Sequence, residues 1–132
     1  MTIFAVDTFA TETEGHVERL DQVFAELGQE PRKKACEAMK GLIKEGEEQM
    51  EIEAGPVRDA ALIGAANRVE HYEMAGYGTA RTLATGLGLT KSASLLEQTL
   101  KEEKQADAKL TQIAEQTVND EAMRRPKTRT AR

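Results

Sequence analysis

The sequence contains little of what several common kinds of protein need. It has no tryptophan and only 4% aromatic residues, so there is little material for a surface on which nucleic-acid bases stack. No apolar run approaches the length of a transmembrane helix. The start, MTIFAVDTFATETEG, has neither a basic segment nor a continuous apolar one, which argues against a secretory signal. We therefore expect a cytoplasmic protein that does not enter membranes.

Cysteine and proline are also sparse. Cys36 is the single cysteine, so no internal disulfide can form. Its helical spacing from Met39 predicts a buried thiol without a catalytic role. Three prolines and 10 glycines in 132 residues leave room for long regular elements and argue against a disordered chain. A chain of this size is expected to form one domain.

Charge is distributed unevenly along the chain. The last ten residues, MRRPKTRTAR, hold five of the 18 basic residues and no acidic one, so 13 basic residues face 23 acidic ones in the body. Such a body repels nucleic acid, and the tail could contact phosphates only weakly and in a salt-dependent way. We expect a helical domain over residues 1–122 and a solvated, disordered basic tail over residues 123–132.

Apolar residues recur with helical spacing almost throughout, and no segment alternates with a period of two. The predicted fold is therefore an all-α bundle of four helices, because helices of this length suit a bundle. The first runs from about Val6 to Leu27, the second from after Pro31 to before Gly55-Pro56, the third to about Leu87, and the fourth to about Asn119. Gly28 is expected to end the first helix, Gly86 and Gly88 to bracket the break after the third, and Thr90 to cap the fourth.

Acidic residues interrupt the apolar side of three of these helices. In the fourth helix, Glu103 and Asp107 fall in the gap between Leu100 and Leu110. In the first helix, the apolar residues follow the same spacing of three and four, and this spacing passes through Glu12 and His16. In the third helix it passes through Glu73, with Glu70 one turn earlier on the flank. Three helices are thus expected to direct carboxylates into one interior.

Converging buried carboxylates need a physical explanation, because an unpaired one is very costly. They require protonation, partner cations or a bound metal. A metal is the most economical explanation, and a carboxylate-rich site with one imidazole suits iron or manganese. Facing helices of bundle proteins build di-metal centres in this way.

Simpler interpretations of the same residues stay open. Glu103 and Asp107 could lie at a helix boundary and face water, because an apolar stripe drifts by about 20° per heptad on a straight helix. His16 could be a hydrogen-bonded core or surface histidine. His71 is expected at the surface or as an orienting group behind a ligand, while Tyr72 and Tyr77 are expected in the core.

Three segments resemble the YciE/YciF family of ferritin-like, stress-associated proteins. They are TETEGHVERLDQVF, VRDAALIGAANRVEHYEMAGYGTARTLA and LLEQTLKEEKQADAKLTQIA, and the resemblance spans roughly residues 11–122. EHYE, at residues 70–73, is similar to the third-helix metal motif of rubrerythrin-like proteins. The resemblance implies a ferritin-like fold with a di-iron or di-manganese centre. Its implied ligands are Glu12, Glu70, Glu73, Glu103 and Asp107, with His16 as the nitrogen ligand.

The sequence departs from this family before TETEGH. The family has a preceding helix that supplies a glutamate, whereas only MTIFAVDTFA stands there in this sequence. A truncated gene model, a naturally short paralogue and a helix borrowed from a partner subunit all fit this observation. The resemblance therefore implies a weakened or lost metal site. It also implies an uncovered apolar side, for which we expect a homodimer, or else a soluble but loosened monomer that binds hydrophobic dyes.

Two functions remain open from the sequence. One is a ferritin-like metal protein that handles iron, or that reduces dioxygen or peroxide under stress. The other is a metal-free helical module that dimerises through its uncovered surface. The sequence does not decide whether the protein is an enzyme.

Overall fold

A computed structural model describes residues 3–124, and side chains from residue 12 onward. The helices are α1 (Ile3–Glu26), α2 (Glu37–Gln49), α3 (Pro56–Gly86), α4 (Thr90–Ile113) and α5 (Asn119–Met123). A π-helical turn, Ala114–Val118, joins α4 to α5. Residues 3–124 contain no strand, so the predicted all-α bundle of four main helices is confirmed. The expected basic tail lies outside the described residues from position 125.

Contacts along their length show that α1 and α4 run antiparallel. Glu26 near the end of α1 meets Ser92 near the start of α4, and His16 meets Glu102 further along α4. The α3 and α4 helices form the central pair, α1 packs on α4, and α2 packs on α3. Among the described residues, α1 and α2 do not pack on each other. The bundle therefore has an open side between its first two helices.

Two glycines end helices as the sequence predicts. Gly28 and Gly88 have φ angles of 64° and 72°, in the left-handed region that glycine adopts without steric cost. After α1, the Gln29 amide donates to the Phe24 carbonyl, and after α3 the Leu89 amide donates to the Ala84 carbonyl. Both are Schellman motifs, which satisfy carbonyls that the helix leaves free.

The start of α2 differs from the prediction. The helix begins at Glu37, not directly after Pro31, because Arg32, Lys33 and Lys34 would place three cations at a helix N-terminus, where the helix dipole disfavours them. The prediction that Cys36 is buried is wrong. Its thiol is exposed and caps α2 by accepting a hydrogen bond from the Met39 amide.

The core is small and lies mainly along α4. Its buried apolar residues include Leu96, Leu100 and Leu110 of α4, and Ile63 and Ala84 of α3, the helix that packs on α4. Each leucine buried in this way contributes roughly 1.5–3 kcal/mol relative to an exposed one. Other large side chains remain outside. Tyr72, expected in the core, is 42% exposed, and Leu83 is 62% exposed. None of the described helices is both long and apolar enough to cross a membrane.

The N-terminus of α4 is capped from another helix. Thr90 was expected to cap it but is its first residue, and Leu89 at the cap position offers no side-chain acceptor. The Glu26 carboxylate of α1 instead accepts from the Ser92 backbone amide at 2.7 Å and from the Ser92 hydroxyl. The carboxylate satisfies a free amide and complements the positive end of the helix dipole. This contact fixes α1 on α4.

We expect Glu26→Ala to destabilise the protein by about 1 kcal/mol, because the loss of a capping acceptor usually costs 0.5–2 kcal/mol. Urea unfolding followed by circular dichroism measures this. Glu30→Ala is the matched control, because Glu30 is exposed and has no hydrogen bond or ion pair in the described part of the chain. Equal stabilities of the two variants would contradict the capping role of Glu26.

Candidate metal centre

Three glutamates from two helices meet inside the bundle. Glu70 and Glu73 lie one turn apart on α3, so their side chains share a face. Glu103 lies on the buried face of α4 and is 4% exposed. One carboxylate oxygen from each of the three residues lies within 4.8 Å of the other two. This group, Glu70, Glu73 and Glu103, is called the carboxylate cluster below.

The cluster has more negative charge than its surroundings can balance. Burial is the main cause that raises the pKa of Glu103 to about 9, followed by a hydrogen bond to Glu70 and the charges of Glu73 and Glu70. Burial, followed by the charge of Glu70, also raises the pKa of Glu73. Oε2 of Glu70 and Oε1 of Glu103 are buried, and no described residue donates a hydrogen bond to either of them. With the three carboxylates ionised, the described side chains therefore leave these two acceptor atoms unsatisfied.

A second polar network holds Glu103 from the side of α1. His16 is 6% exposed, and its Nε2 lies 3.0 Å from Oε2 of Glu102. Its Nδ1 lies 3.1 Å from Oε1 of Glu103, but the two groups are not aligned for a hydrogen bond. Arg19 donates to both oxygens of Glu102 at 2.7 and 2.8 Å, and to Thr99 at 3.0 Å.

Glu102 and Glu103 are adjacent in sequence, but their pKa values shift in opposite directions. Burial alone would raise the pKa of Glu102, but the hydrogen bonds and charge of Arg19, together with the His16 hydrogen bond, outweigh it and lower that pKa. Glu102 is thus an ionised partner for Arg19, whereas Glu103 faces other carboxylates. A neutral imidazole donates only one proton, so His16 in this form can satisfy only one of the two glutamates.

Tyr77 closes the cluster on one side. Its ring meets His16 edge to face, with ring centroids 6.0 Å apart. Burial, followed by the charges of Glu73 and Glu103, raises the pKa of the Tyr77 hydroxyl to about 12. Tyr77 therefore stays a neutral phenol at physiological pH. It is half-buried, close to the core position expected from the sequence.

Of the other residues that the sequence proposed as ligands, His16 contacts Glu103, whereas Glu12 and Asp107 are not part of the carboxylate cluster. Glu12 is half-buried on α1 but does not belong to the carboxylate cluster. Asp107 lies on α4, one turn after Glu103. Its carboxylate accepts a hydrogen bond from Asn67 at 2.6 Å and lies 3.1 Å from Nε2 of His71. His71 is exposed, as predicted. Whether Glu12, His16 and Asp107 bind metal stays a prediction.

The sequence reasoning did not find Arg19, Thr99 or Glu102. One signal was available, because Arg19 lies three residues after His16 and therefore shares its helix face. Glu102 gave no signal, since nothing in the sequence distinguishes it from exposed glutamates nearby. Its partner is 83 residues away along the chain, and only the packing of α1 on α4 brings the two together.

The donor set fits a divalent cation that prefers oxygen. Carboxylate oxygens about 2 Å from one ion stand at most roughly 4 Å apart, so a spread within 4.8 Å requires movements of less than about 1 Å. The two unsatisfied oxygens, of Glu70 and Glu103, are free to accept such an ion. Carboxylates favour magnesium, calcium, manganese and ferrous iron over softer metals.

Comparisons with known proteins match most of the chain. Residues 5–123 match the family model described as a domain of unknown function, DUF892. The chain is 52% identical over 113 residues to Protein YciF of Escherichia coli K12, covering 84% of this chain and 68% of YciF. The crystal structure of the E. coli stress protein YciF superposes with a TM-score of 0.82 at 50% identity, over 87% of this chain and 74% of that one. The structure of YcfI from Rhodopseudomonas palustris, described as a candidate structural protein, superposes with a TM-score of 0.77 at 44% identity. The match covers 81% of this chain and 69% of YcfI.

We expect the metal-free protein to lose stability as pH rises. Folded Glu103, faced by Glu70, Glu73, Glu102 and His16, keeps its proton to a pH of about 9, whereas an unfolded glutamate releases it near 4.5. The folded state therefore binds more protons between these values, and the free energy of unfolding falls as pH rises through this window. Thermal unfolding of chelator-treated protein at pH 5 to 9 measures the slope.

Glu103→Gln should flatten this slope and raise the unfolding midpoint at pH 8 by roughly 5 °C, because the neutral amide avoids the buried charge. Glu115→Gln is the control, since Glu115 is exposed on the π-helical turn. If the Glu103 variant keeps the pH slope of the unmodified protein, the assigned protonation of Glu103 is wrong.

Proposed function

Since this chain is a member of the DUF892 family, we propose that it is a ferritin-like stress-response protein that binds iron or manganese at the carboxylate cluster. Its similarity to the E. coli stress protein YciF supports the role in stress. We propose the cytoplasm as its location. The metal-binding part of the proposal depends on the geometry of the cluster.

The observation that carries the proposal is the pair of unsatisfied oxygens. When the carboxylates are ionised, as they must be to bind a metal, Oε2 of Glu70 and Oε1 of Glu103 are buried and have no donor among the described residues. A buried acceptor without a partner costs roughly 1–3 kcal/mol, and proteins retain such groups mostly where a ligand or ion satisfies them. A divalent cation would satisfy both oxygens and remove the repulsion among the three carboxylates.

The residues around the cluster would each have a distinct role. Glu70, Glu73 and Glu103 would hold the metal, and a redox-active metal there would supply electrons for the reduction of dioxygen or peroxide. The His16 ring, paired with Glu102 and through it with Arg19, lies 3.1 Å from Oε1 of Glu103. Tyr77 keeps its hydroxyl proton and covers His16. The same arrangement would serve iron sequestration without catalysis.

Metal binding should release a proton from Glu103. The carboxyl must ionise to act as a ligand, and its pKa of about 9 means that it is mostly protonated at neutral pH. Protons therefore compete with the metal, and the affinity should rise with pH. A second metal ion, as in the di-iron or di-manganese centre implied by the family resemblance, would need further ligands, for which Glu12 and His16 are the candidates on α1.

We expect purified, chelator-treated protein to bind Mn²⁺ and Fe²⁺, and Glu70→Gln/Glu103→Gln to lower the affinity at least about a hundredfold, because two ligands lose their charge. Isothermal titration calorimetry in buffers of different ionisation enthalpy gives both the affinity and the number of protons released. The unmodified protein should release close to one proton per ion at pH 7.

Two variants sharpen this experiment. Asp107→Asn tests the ligand suggested by the sequence, and Glu115→Gln controls for net charge alone. If the carboxylate cluster is the site, Glu115→Gln should bind the metal as tightly as the unmodified protein. Asp107→Asn should lose little affinity, because the Asp107 carboxylate is already hydrogen-bonded to Asn67. Binding by the double variant with unchanged affinity would show that the cluster is not the site.

The alternative function, a metal-free dimerisation module, is supported by the outer face of α3. An open groove of about 420 Å³ runs along its small residues Gly78, Thr79 and Thr82, next to Leu83. Leu83 and Leu87 are 62% and 74% exposed, so a second copy would gain apolar burial there. We propose a homodimer through this face.

Sedimentation velocity at micromolar concentration tests the dimer. Leu83→Glu should shift the protein to monomer, because it places charge in the contact, whereas Val57→Glu, at a similarly exposed position, should not. A monomeric unmodified protein would rule the dimer out. Dimerisation and metal binding are independent outcomes, since the groove and the carboxylate cluster share no lining residue.

A further inference from the structure

A cavity of about 320 Å³ opens on the side of the bundle where α1 and α2 do not pack on each other. All four main helices contribute to its wall. The residues that matter here are Leu20 of α1, Cys36 and Met39 at the start of α2, and Tyr72, Glu73 and Tyr77 of α3. By the volume of liquid water, roughly 30 Å³ per molecule, the cavity has room for an ion with its hydration shell.

The cavity reaches the carboxylate cluster through Glu73. This side chain lines the cavity and is also a member of the cluster, so it connects the cavity to Glu70 and Glu103, neither of which lines it. In the part of the chain that the structure describes, no lysine, arginine or histidine lines the cavity. Its remaining wall is mostly apolar, with neutral thiol and phenol groups. A low-dielectric wall that ends in carboxylates concentrates the electric field and attracts cations.

We propose that this cavity is the entrance through which a divalent cation reaches the carboxylate cluster, and that Cys36 and Tyr72 form its mouth. The inference rests on the proposed metal binding. Both mouth residues are exposed, and the Cys36 thiol lies 3.0 Å from the Tyr72 hydroxyl. This contact joins the start of α2 to α3 across the opening. A cation passing the mouth meets Glu73 before Glu70 or Glu103.

The mouth can be blocked chemically at one position. Cys36 is the single cysteine of the chain, so a thiol reagent modifies the protein once. A hydrogen bond from Tyr72 and one from the Met39 amide lower the pKa of the thiol, which favours reaction near neutral pH. The size of the adduct can therefore be varied while the cluster itself is left chemically unchanged.

The experiment measures how fast metal-free protein takes Mn²⁺ from a fluorescent indicator after rapid mixing. Three forms are compared: unmodified, methylthiolated, and modified with a bulky aryl maleimide. The amount bound at equilibrium is measured on the same samples. We expect the bulky adduct to slow uptake at least roughly tenfold, the methylthio adduct to slow it less, and the bound amount to stay the same. Reduction of the methylthio adduct should restore the original rate.

Two controls separate blocking from a general effect of labelling. Cys36→Ser treated with the maleimide should take up Mn²⁺ like untreated protein. Cys36→Ser/Gln112→Cys carries the same adduct at an exposed position of α4 that does not line the cavity, and its uptake should be unaffected. Met39→Phe narrows the cavity without a label and should also slow uptake, provided that circular dichroism shows native helix content.

The outcomes distinguish this inference from the proposed function. Absence of Mn²⁺ binding in every form would overturn both. Normal binding with the same uptake rate in blocked and unblocked protein would overturn the entrance and leave the metal site standing. Equal slowing by the adduct at position 112 would also overturn the entrance, because the effect would then not depend on the mouth.

Discussion

The burial of Glu103 against Glu70 and Glu73 is the constraint on which the rest of the structure depends. A carboxylate that is 4% exposed and faces two others has to be protonated or bound to a cation. The first condition applies in the metal-free protein, where its pKa is about 9. The second would apply with metal bound. The bundle therefore has a core that is less stable alone than with a ligand, as expected for a binding site.

The neighbouring polar network makes this burial tolerable. Arg19 neutralises Glu102 through two hydrogen bonds, and His16 lies between Glu102 and Glu103. Removal of any one of these partners would leave a buried charge or donor unsatisfied, which is far more costly than loss of a surface ion pair. The network also ties α1 to α4 in one register, together with the Glu26 contact to Ser92. The same residues thus fix the helix packing and the position of a candidate ligand.

The sequence predicted those features that depend on local rules. Helical spacing and the glycines at positions 28 and 88 gave the element order, and apolar spacing directed Glu70, Glu73 and Glu103 inward. It placed Asp107 in the core, but the buried stripe of α4 alternates steps of three and four through Leu96, Thr99, Glu103, Ala106 and Leu110, so Asp107 falls on its flank. Whether Asp107 binds metal is a separate and untested prediction.

Features that depend on packing between distant residues could not be predicted. The cap on α4 comes from Glu26, 66 residues away, and the exposure of Cys36 follows from where α2 begins. The open side between α1 and α2, and the cavity that reaches Glu73 from it, depend on how four helices are arranged. Helix spacing describes each helix alone and contains no information on which pairs leave a gap.

The most direct measurement of the central claim is anomalous diffraction from crystals of the full chain grown with Mn²⁺, with data collected on both sides of the manganese absorption edge. The account predicts an anomalous peak about 2 Å from carboxylate oxygens of Glu70, Glu73 and Glu103, with Glu102 still paired with Arg19. A fully occupied peak elsewhere, or no peak while the three carboxylates keep their metal-free arrangement, would contradict it.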